Sequence, residues 1–140
     1  MQPENVTPDV IRAVLEQAPD AMIYADRDGA IRIWNRAAET LFGYSAVEVM
    51  GGSLDVIIPE RFRAANWAGF LKAVETGETK YGNRVMTTRG VRRDGSRLYL
   101  DLTFALVKDP TGGVIGVLAI GRDVTESRSK SSSNSRKDVG

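Results

Sequence analysis

The chain offers few side chains that could carry covalent or metal chemistry. None of its 140 residues is histidine or cysteine, which excludes disulfides, thiolate chemistry, the commonest general base and the commonest metal ligand. Asp26, Asp28, Asp94 and Asp109 fall in turn-like segments, where aspartate is favoured because its side chain bonds to nearby backbone. We therefore expect no catalytic constellation and no metal site, and the domain itself is not expected to be an enzyme.

A small-molecule site has better support than a catalytic one. A proline precedes and a glycine follows Glu60–Thr76, which predicts a long helix. At about 100° per residue, Phe62, Asn66 and Phe70 lie on one arc, so Asn66 would be a polar side chain within an apolar face. Apolar cavities with few polar groups are the usual ligand sites. The candidate walls are Met22, Tyr24, Val56, Ile57, Phe62, Asn66, Phe70, Leu102, Phe104, Val117 and Ala119. Alternatively, these residues simply fill the core at native packing density.

A second helix is predicted near the N-terminus. Thr7 and Pro8 form a helix-start pattern, with the threonine as the cap and the proline at the first helical position. The apolar residues that recur at helical spacing are Val10, Ile11, Val14 and Leu15. This stripe packs on the domain's own sheet or supplies a dimer face, and the sequence leaves both interpretations open.

Three short loops containing aspartate and glycine predict a sheet of five strands. Residues 26–29, 93–95 and 109–113 each separate two strand-like segments. In the fourth segment, leucine and phenylalanine alternate from Leu98 to Leu106 at a period of two, and one face of such a sheet meets helices. The predicted fold class is α+β, with a five-stranded antiparallel sheet, helices packed on one face and an N-terminal flanking helix.

The composition changes along the chain predict three parts. Residues 1–19 form the flanking helix and residues 20–125 the core domain. Residues 126–140 contain one apolar residue, Val139, among many serines and charges. Such a segment cannot bury enough apolar surface to offset its ordering entropy, so we expect a flexible serine-rich tail or linker, or a cloning remnant.

Two motifs give the chain a family resemblance. The pattern N-x-A-x-x-x-L-F-G-Y-S-x-x-E-V-x-G runs from Asn35 to Gly51, and GRDVTE stands at residues 121–126. Both resemble the PAS domain family of sensory modules, over roughly residues 11–126. The resemblance implies a PAS-like version of the fold above. It also implies a signal relay at Asp123 and Thr125, because D-V-T resembles the D-I-T motif that ends many PAS cores. It does not imply what is sensed, since fold does not fix function.

The resemblance also allows cofactors to be considered. PAS proteins of similar sequence often offer a histidine to haem iron in a helix written P-E-R-x-R-x-x-H-W-x-G-F/Y, and here Asn66 occupies the histidine position. An amide is a poor iron ligand, so haem is not expected. The branch that forms a covalent flavin adduct needs a cysteine and is excluded. A non-covalent flavin stacked on Trp34 or Trp67 remains an alternative, and the cofactor is left unknown.

The resemblance implies a sensory input and dimerisation module of a bacterial-type signalling protein. The effector, C-terminal in a longer parent, would be a histidine kinase, a cyclic-dinucleotide enzyme or a transcription regulator. The alternatives are a dimerisation module with a filled core and no ligand, or a haem- or flavin-bearing gas or redox sensor. We expect a homodimer and an unidentified small ligand. A net charge of +1 and the lack of a long apolar run argue against nucleic acid or membrane partners, and a cytoplasmic location is expected.

Overall fold

The fold is an antiparallel sheet of five strands with helices on one face. The computed structural model describes residues 6–79, 82 and 84–126. The elements in chain order are α1 (Pro8–Gln17), β1 (Ala21–Asp26), β2 (Ile31–Trp34), α2 (Arg36–Phe42), α3 (Ala46–Val49), a 3-10 helix (Leu54–Ile57), α4 (Glu60–Thr76), β3 (Met86–Val91), β4 (Arg97–Lys108) and β5 (Val114–Asp123). The strands lie in the order β2-β1-β5-β4-β3, with every neighbouring pair antiparallel. The predicted fold class is therefore confirmed.

Local capping residues determine where the helices begin and end. Thr7, Asn35 and Ser45 cap α1, α2 and α3 with their side chains. Gly43 and Gly77 follow α2 and α4 with φ angles of 84° and 75°, a left-handed conformation that glycine adopts without a steric cost. The predicted bounds of α4 are confirmed. The domain boundaries at residues 19 and 125 stay predictions, and residues 127–140 of the predicted tail lie outside the described residues.

The strand register assigns each side chain to one of two sheet faces. Ile23 pairs with Ala119, which pairs with Phe104, so these three side chains share a face. Tyr24 pairs with Leu118, and both point the other way because side chains alternate along a strand. The buried core joins Ile23 to side chains of α2 and α3. We call this face the helix side and the opposite one the outer side.

The core is closed at one end of the helix side and open at the other. Leu98 and Leu100 of β4 are only 1% and 3% exposed, and they belong to the core cluster with Trp34 and Phe42. Further along the same face, Phe104 is only half-buried. The closed end is the end covered by α2 and α3, and the open end is where the apolar side chains of β4 and β5 keep solvent-accessible surface.

One buried amide joins α1, β1 and α2. Asn35 is 0% exposed. Its Oδ1 accepts hydrogen bonds from the backbone N–H of Met22 at 2.9 Å and of Ala38 at 3.1 Å. Its Nδ2 donates to the carbonyls of Leu15 at 2.9 Å and Asp20 at 3.1 Å. All four partners are backbone groups, so the side chain fixes the path of the chain at three elements.

Three aspartates hold the hairpin turns. Asp109 Oδ1 accepts from the backbone N–H of Thr111 at 2.9 Å and of Gly113 at 3.0 Å, and Asp26 and Asp94 accept N–H groups in their own turns. A side-chain hydrogen bond is the largest cause that lowers the pKa of each carboxyl below its usual value, because it stabilises the charged form. The turn-forming role predicted for these residues is confirmed.

Replacing the buried amide should be costly. We expect Asn35→Ala to lower the free energy of unfolding by about 3 kcal/mol, because it removes a helix cap and leaves buried backbone groups unpaired. Ser45→Ala, which removes an exposed cap, should cost about 1 kcal/mol. Urea unfolding followed by circular dichroism measures both. A loss for Asn35→Ala no larger than that for Ser45→Ala would contradict the central role of Asn35.

The turn aspartates predict a stability that depends on pH. Their folded pKa values lie below the ordinary 3.8, so their stabilisation is complete above that value and is lost as pH falls through the lower folded pKa. We expect the free energy of unfolding to decline from about pH 5 to about pH 3, and Asp109→Asn to flatten part of this decline. Urea titrations across that range measure it. Asp28→Asn, an exposed turn aspartate, is the control, and parallel curves for Asp109→Asn and wild type would contradict the assignment.

Candidate functional site

The sheet divides the predicted cavity walls into two sets. Met22 and Tyr24 pair with Ile120 and Leu118 of β5 and therefore lie on the outer side. Tyr24 points its hydroxyl at the backbone, where Oη donates to the carbonyl of Ile115 at 2.9 Å. The expectation that Met22 and Tyr24 share a cavity with the helix-side residues is wrong, because β1 places Ile23 and its alternating neighbours on the helix side instead.

Helix α4 is also rotated relative to the prediction. Asn66 is exposed, so the expectation that its amide faces the core is wrong. The next residue, Trp67, makes the contact instead, and its Nε1 donates to Asp55 Oδ1 at 2.7 Å. Phe62 is 37% exposed, and Phe70 is half-buried. Because successive helical residues are about 100° apart, a shift of one residue is enough to turn Asn66 towards solvent.

The remaining predicted walls do come together on the helix side. The register aligns Leu102 with Gly121 and Phe104 with Ala119, and Val117 follows at the next position of the same face. Leu102, Phe104, Val117 and Ala119 are all half-buried. Helix α4 contacts the sheet through β5, and the 3-10 helix contacts it through β3. The open end of the helix side is therefore an apolar surface bordered by these two helices.

The 3-10 helix contributes fewer buried side chains to the predicted cavity walls than the sequence indicated. Ile57 is half-buried and packs against the core cluster, whereas Val56 is 37% exposed. Of the predicted walls, Ile57, Phe70 and the four residues of β4 and β5 therefore lie buried or half-buried on the helix side. Their role in ligand binding stays a prediction.

Two surface grooves lie elsewhere, and neither was predicted as a site. One of about 750 Å³ lies between the α1–β1 connection, α2 and the end of β5. It includes Arg92, Arg122 and Asp20, and Arg122 Nη2 lies 3.0 Å from Asp20 Oδ2. The other, of about 410 Å³, lies between α1, β2 and the start of α3. The predicted cavity walls line neither groove, whereas Ile11 and Leu15 line the smaller one and Asp123 lines the larger one.

The C-terminal junction of the domain is tied to the sheet. The Thr125 backbone N–H donates to Asp123 Oδ1 at 2.8 Å, and the Thr125 hydroxyl accepts from the Tyr99 N–H at 2.9 Å. Arg92 Nη2 lies 3.1 Å from Asp123 Oδ2. Partial burial opposes the shift, but the hydrogen bonds from Thr125 and the charge of Arg92 lower the pKa of Asp123, so it stays ionised at neutral pH. The junction thus connects β5 to β4 and to the β3–β4 turn.

The apolar stripe of α1 is largely uncovered. Val14 is 62% exposed, and Val10 and Ile11 are also exposed. Ile11 and Leu15 line the smaller groove, on the side of the domain. The stripe therefore has residues turned towards the domain and residues turned to solvent, and the dimer role of Val10, Ile11, Val14 and Leu15 stays a prediction.

The available donors do not fit a coordinated haem. Asn66, at the position where the resemblance implies histidine, is exposed, and the chain has no histidine or cysteine elsewhere. Met22 lies on the outer side, and Met50 is 43% exposed. Among the described methionines, Met86 alone is half-buried on the helix side, and haem proteins with a thioether ligand pair it with histidine.

The tryptophans are both engaged in the fold. Trp34 is 2% exposed, packs against Phe42 with ring centroids 5.5 Å apart, and donates from Nε1 to the carbonyl of Tyr44 at 3.0 Å. Trp67 bonds to Asp55. Trp34 is therefore a core residue and offers no free face for stacking a flavin.

Among the described residues, no group of three or more acidic side chains is placed to hold a metal ion. In the same part of the chain, no helix is both long enough and apolar enough to cross a lipid bilayer.

Known proteins share this sequence pattern. The sensor protein FixL of Bradyrhizobium diazoefficiens is 30% identical over 116 residues, which are 83% of this chain and 23% of FixL. The oxygen sensor protein DosP of Escherichia coli is 27% identical over 122 residues, 87% of this chain and 15% of DosP. The chain thus spans less than a quarter of the length of these curated relatives.

Solved structures share the fold. The PAS domain of a protein from Colwellia psychrerythraea superposes with a TM-score of 0.72 at 23% identity, covering 84% of this chain and 97% of that domain. The sequence model of the PAS fold family matches residues 10–124. This range includes the sheet, all the helices that cover it and most of α1. The chain belongs to the PAS family.

Proposed function

We propose that this PAS sensory domain binds a small apolar ligand between α4 and the open end of the sheet, at a site that we call the cleft. One observation carries the proposal: Leu102, Phe104, Leu106, Val117 and Ala119 lie on the helix side of β4 and β5, and all five are half-buried. Leu98 and Leu100, on the same face of β4, are almost completely covered by neighbouring side chains. Removing apolar surface from water contributes about 25 cal/mol per Å², so a ligand that covers these residues gains affinity.

The position of the cleft suggests how binding would reach the rest of a signalling protein. Ala119 and Asp123 lie on the same strand and the same face, four residues apart. A ligand that shifts β5 would move Asp123, and with it Thr125, where the chain leaves the sheet. This relay needs a second arrangement of the junction that the ligand favours. The hydrogen bonds of Thr125 and the Arg92 ion pair are the contacts that would differ between the two states.

The parent protein is proposed to be a bacterial-type signalling protein. The relatives are named a sensor protein and an oxygen sensor protein, and this chain matches a small part of each, which supports an input domain joined to a larger effector. We propose a cytoplasmic, homodimeric domain without catalytic activity of its own. The effector would be a histidine kinase, a cyclic-dinucleotide enzyme or a transcription regulator.

A second candidate function is a dimerisation module that binds no ligand. The exposure of Val10, Ile11 and Val14 favours it, since an uncovered apolar stripe is typical of an interaction surface. A haem- or flavin-bearing gas or redox sensor has the least support, because the donors do not fit a coordinated haem and Trp34 is part of the core.

Filling the cleft should abolish binding of an apolar probe. We expect wild-type protein to bind anilinonaphthalene sulfonate, and Ala119→Phe to weaken binding at least about tenfold, because the added ring occupies the cleft. Ala105→Phe is the control, because Ala105 is an exposed residue on the outer side of the same sheet. Fluorescence titration measures the affinities, with circular dichroism to verify folding. Equal affinities for the two variants, or no binding by wild type, would exclude the cleft as the site.

The dimer face can be tested with a matched pair of substitutions. We expect Val14→Asp to weaken dimerisation roughly hundredfold, because a carboxylate in an apolar interface loses its hydration. Val47→Asp makes the same chemical change on α3, where the side chain is 91% exposed, and should leave the dimer intact. Sedimentation equilibrium measures both. A monomeric wild-type protein, or a Val14→Asp variant as dimeric as wild type, would exclude this interface.

A further inference from the structure

Trp67 is the point at which α4 is fastened to the rest of the domain. Its Nε1 donates a 2.7 Å hydrogen bond to Asp55 Oδ1. Its ring lies against Gly29, where an added Cβ would stand 2.8 Å from Trp67 Cζ3. Within α4 itself, the ring also meets Phe70 edge-on, with centroids 5.2 Å apart. Polar and apolar contacts thus converge on one side chain.

The rest of α4 is held more weakly. Ala73 is the one buried residue of its 17 residues, and Leu71 is 55% exposed. Its first residue follows Pro59, which supplies no side-chain cap. A helix stays in place chiefly through tertiary packing of its apolar face, and here that packing is slight. The position of α4 therefore depends strongly on Trp67.

The partners of Trp67 are attached to a buried residue of the sheet. Gly29 is buried in the β1–β2 turn. Asp55 lies in the 3-10 helix, and the segment before it pairs with β2. Ile31 N–H donates to the carbonyl of Gly52 at 2.9 Å, and Gly51 N–H donates to the carbonyl of Ile31 at 2.7 Å. Because Ile31 is completely buried, we expect Gly29 and Asp55 to be held more firmly than α4.

We propose that Asp55 and Trp67 form a latch that positions α4 as a lid beside the open end of the sheet. The hydrogen bond to a carboxylate is directional and stronger than one between neutral groups. When it is made, α4 is held near β5; when it is broken, the helix loses its main attachment while the closed core stays folded. Trp67 and Asp55 are positioning residues, since neither is among the half-buried residues of the cleft itself.

The consequence for ligand access rests on the proposed function, but the latch does not. A lid that depends strongly on one hydrogen bond opens more often when that bond is lost, by about tenfold to a hundredfold for a bond to a charged acceptor. Opening exposes the apolar residues of β4 and β5. The latch would therefore set how fast an apolar molecule enters and leaves the cleft.

Hydrogen–deuterium exchange tests the latch without any ligand. We expect Asp55→Ala to accelerate amide exchange in Glu60–Thr76 at least about tenfold relative to β1 and β4. Asp55→Asn keeps an oxygen that accepts from Trp67 Nε1 in a weaker, neutral bond, so its rate should lie between those of wild type and Asp55→Ala. Trp67→Phe removes the same bond and also changes the ring that lies against Gly29, so it should accelerate exchange at least as much as Asp55→Ala. The double variant should exchange no faster than Trp67→Phe alone, because the bond is already absent there.

Three outcomes would overturn the latch. The first is α4 exchange at the wild-type rate in Asp55→Ala. The second is acceleration by the same factor in α4 and β4, which would indicate global destabilisation. The third is an Asp55→Asn variant that behaves like Asp55→Ala. Stopped-flow binding of anilinonaphthalene sulfonate then tests access, with faster association expected for Asp55→Ala. An unchanged rate would overturn the gating role, whereas failure of wild type to bind the probe would overturn the proposed cleft and leave the exchange result to decide the latch.

Discussion

The requirement that a buried amide satisfy all its hydrogen bonds organises this domain. An unpaired buried polar group costs about 1–3 kcal/mol, and Asn35 avoids that cost only while Leu15, Asp20 and Met22 keep their backbone groups in place. The end of α1 and the start of β1 are therefore set by the side chain that begins α2. Asp20 also pairs with Arg122 near the end of β5. The start of β1 and the end of β5 are thus joined, so a displacement of one would also displace the other.

The hydrogen bonds of Asn35 also explain why one end of the helix side is covered more completely than the other. Around Asn35, short helices with good caps cover Leu98 and Leu100 completely. Away from it, coverage depends on α4, which is attached mainly through Trp67. Elements with few buried contacts open at lower free energy than the core. A stable half that keeps the fold and a loosely covered half that can change are what a sensory domain needs.

Local features of this fold could be predicted from the sequence. The side of β1 and of α4 that faces the core could not. Caps and turns depend on a few adjacent residues, so the cap at Thr7 and the turn roles of Asp26 and Asp109 were predicted correctly. In β1, the two alternating sets are both apolar, with Ile23 in one and Tyr24 in the other. A period of two then reveals the alternation without showing which set faces the helices. In α4, apolar residues surround much of the helix, so the pattern did not distinguish an inward Asn66 from an inward Trp67.

The rotation of α4 also changes what the cleft can recognise. Asn66 is exposed, and the Trp67 N–H is bonded to Asp55, so neither of these two polar groups of α4 is free to meet a ligand in the cleft. The surface contributed by β4 and β5 is apolar. Such a site distinguishes ligands by size and shape, at about 10–200-fold per methylene group, and lacks the larger discrimination given by unpaired polar partners. The proposed cleft would therefore accept a class of apolar molecules, and any sharper specificity would come from how α4 closes around them.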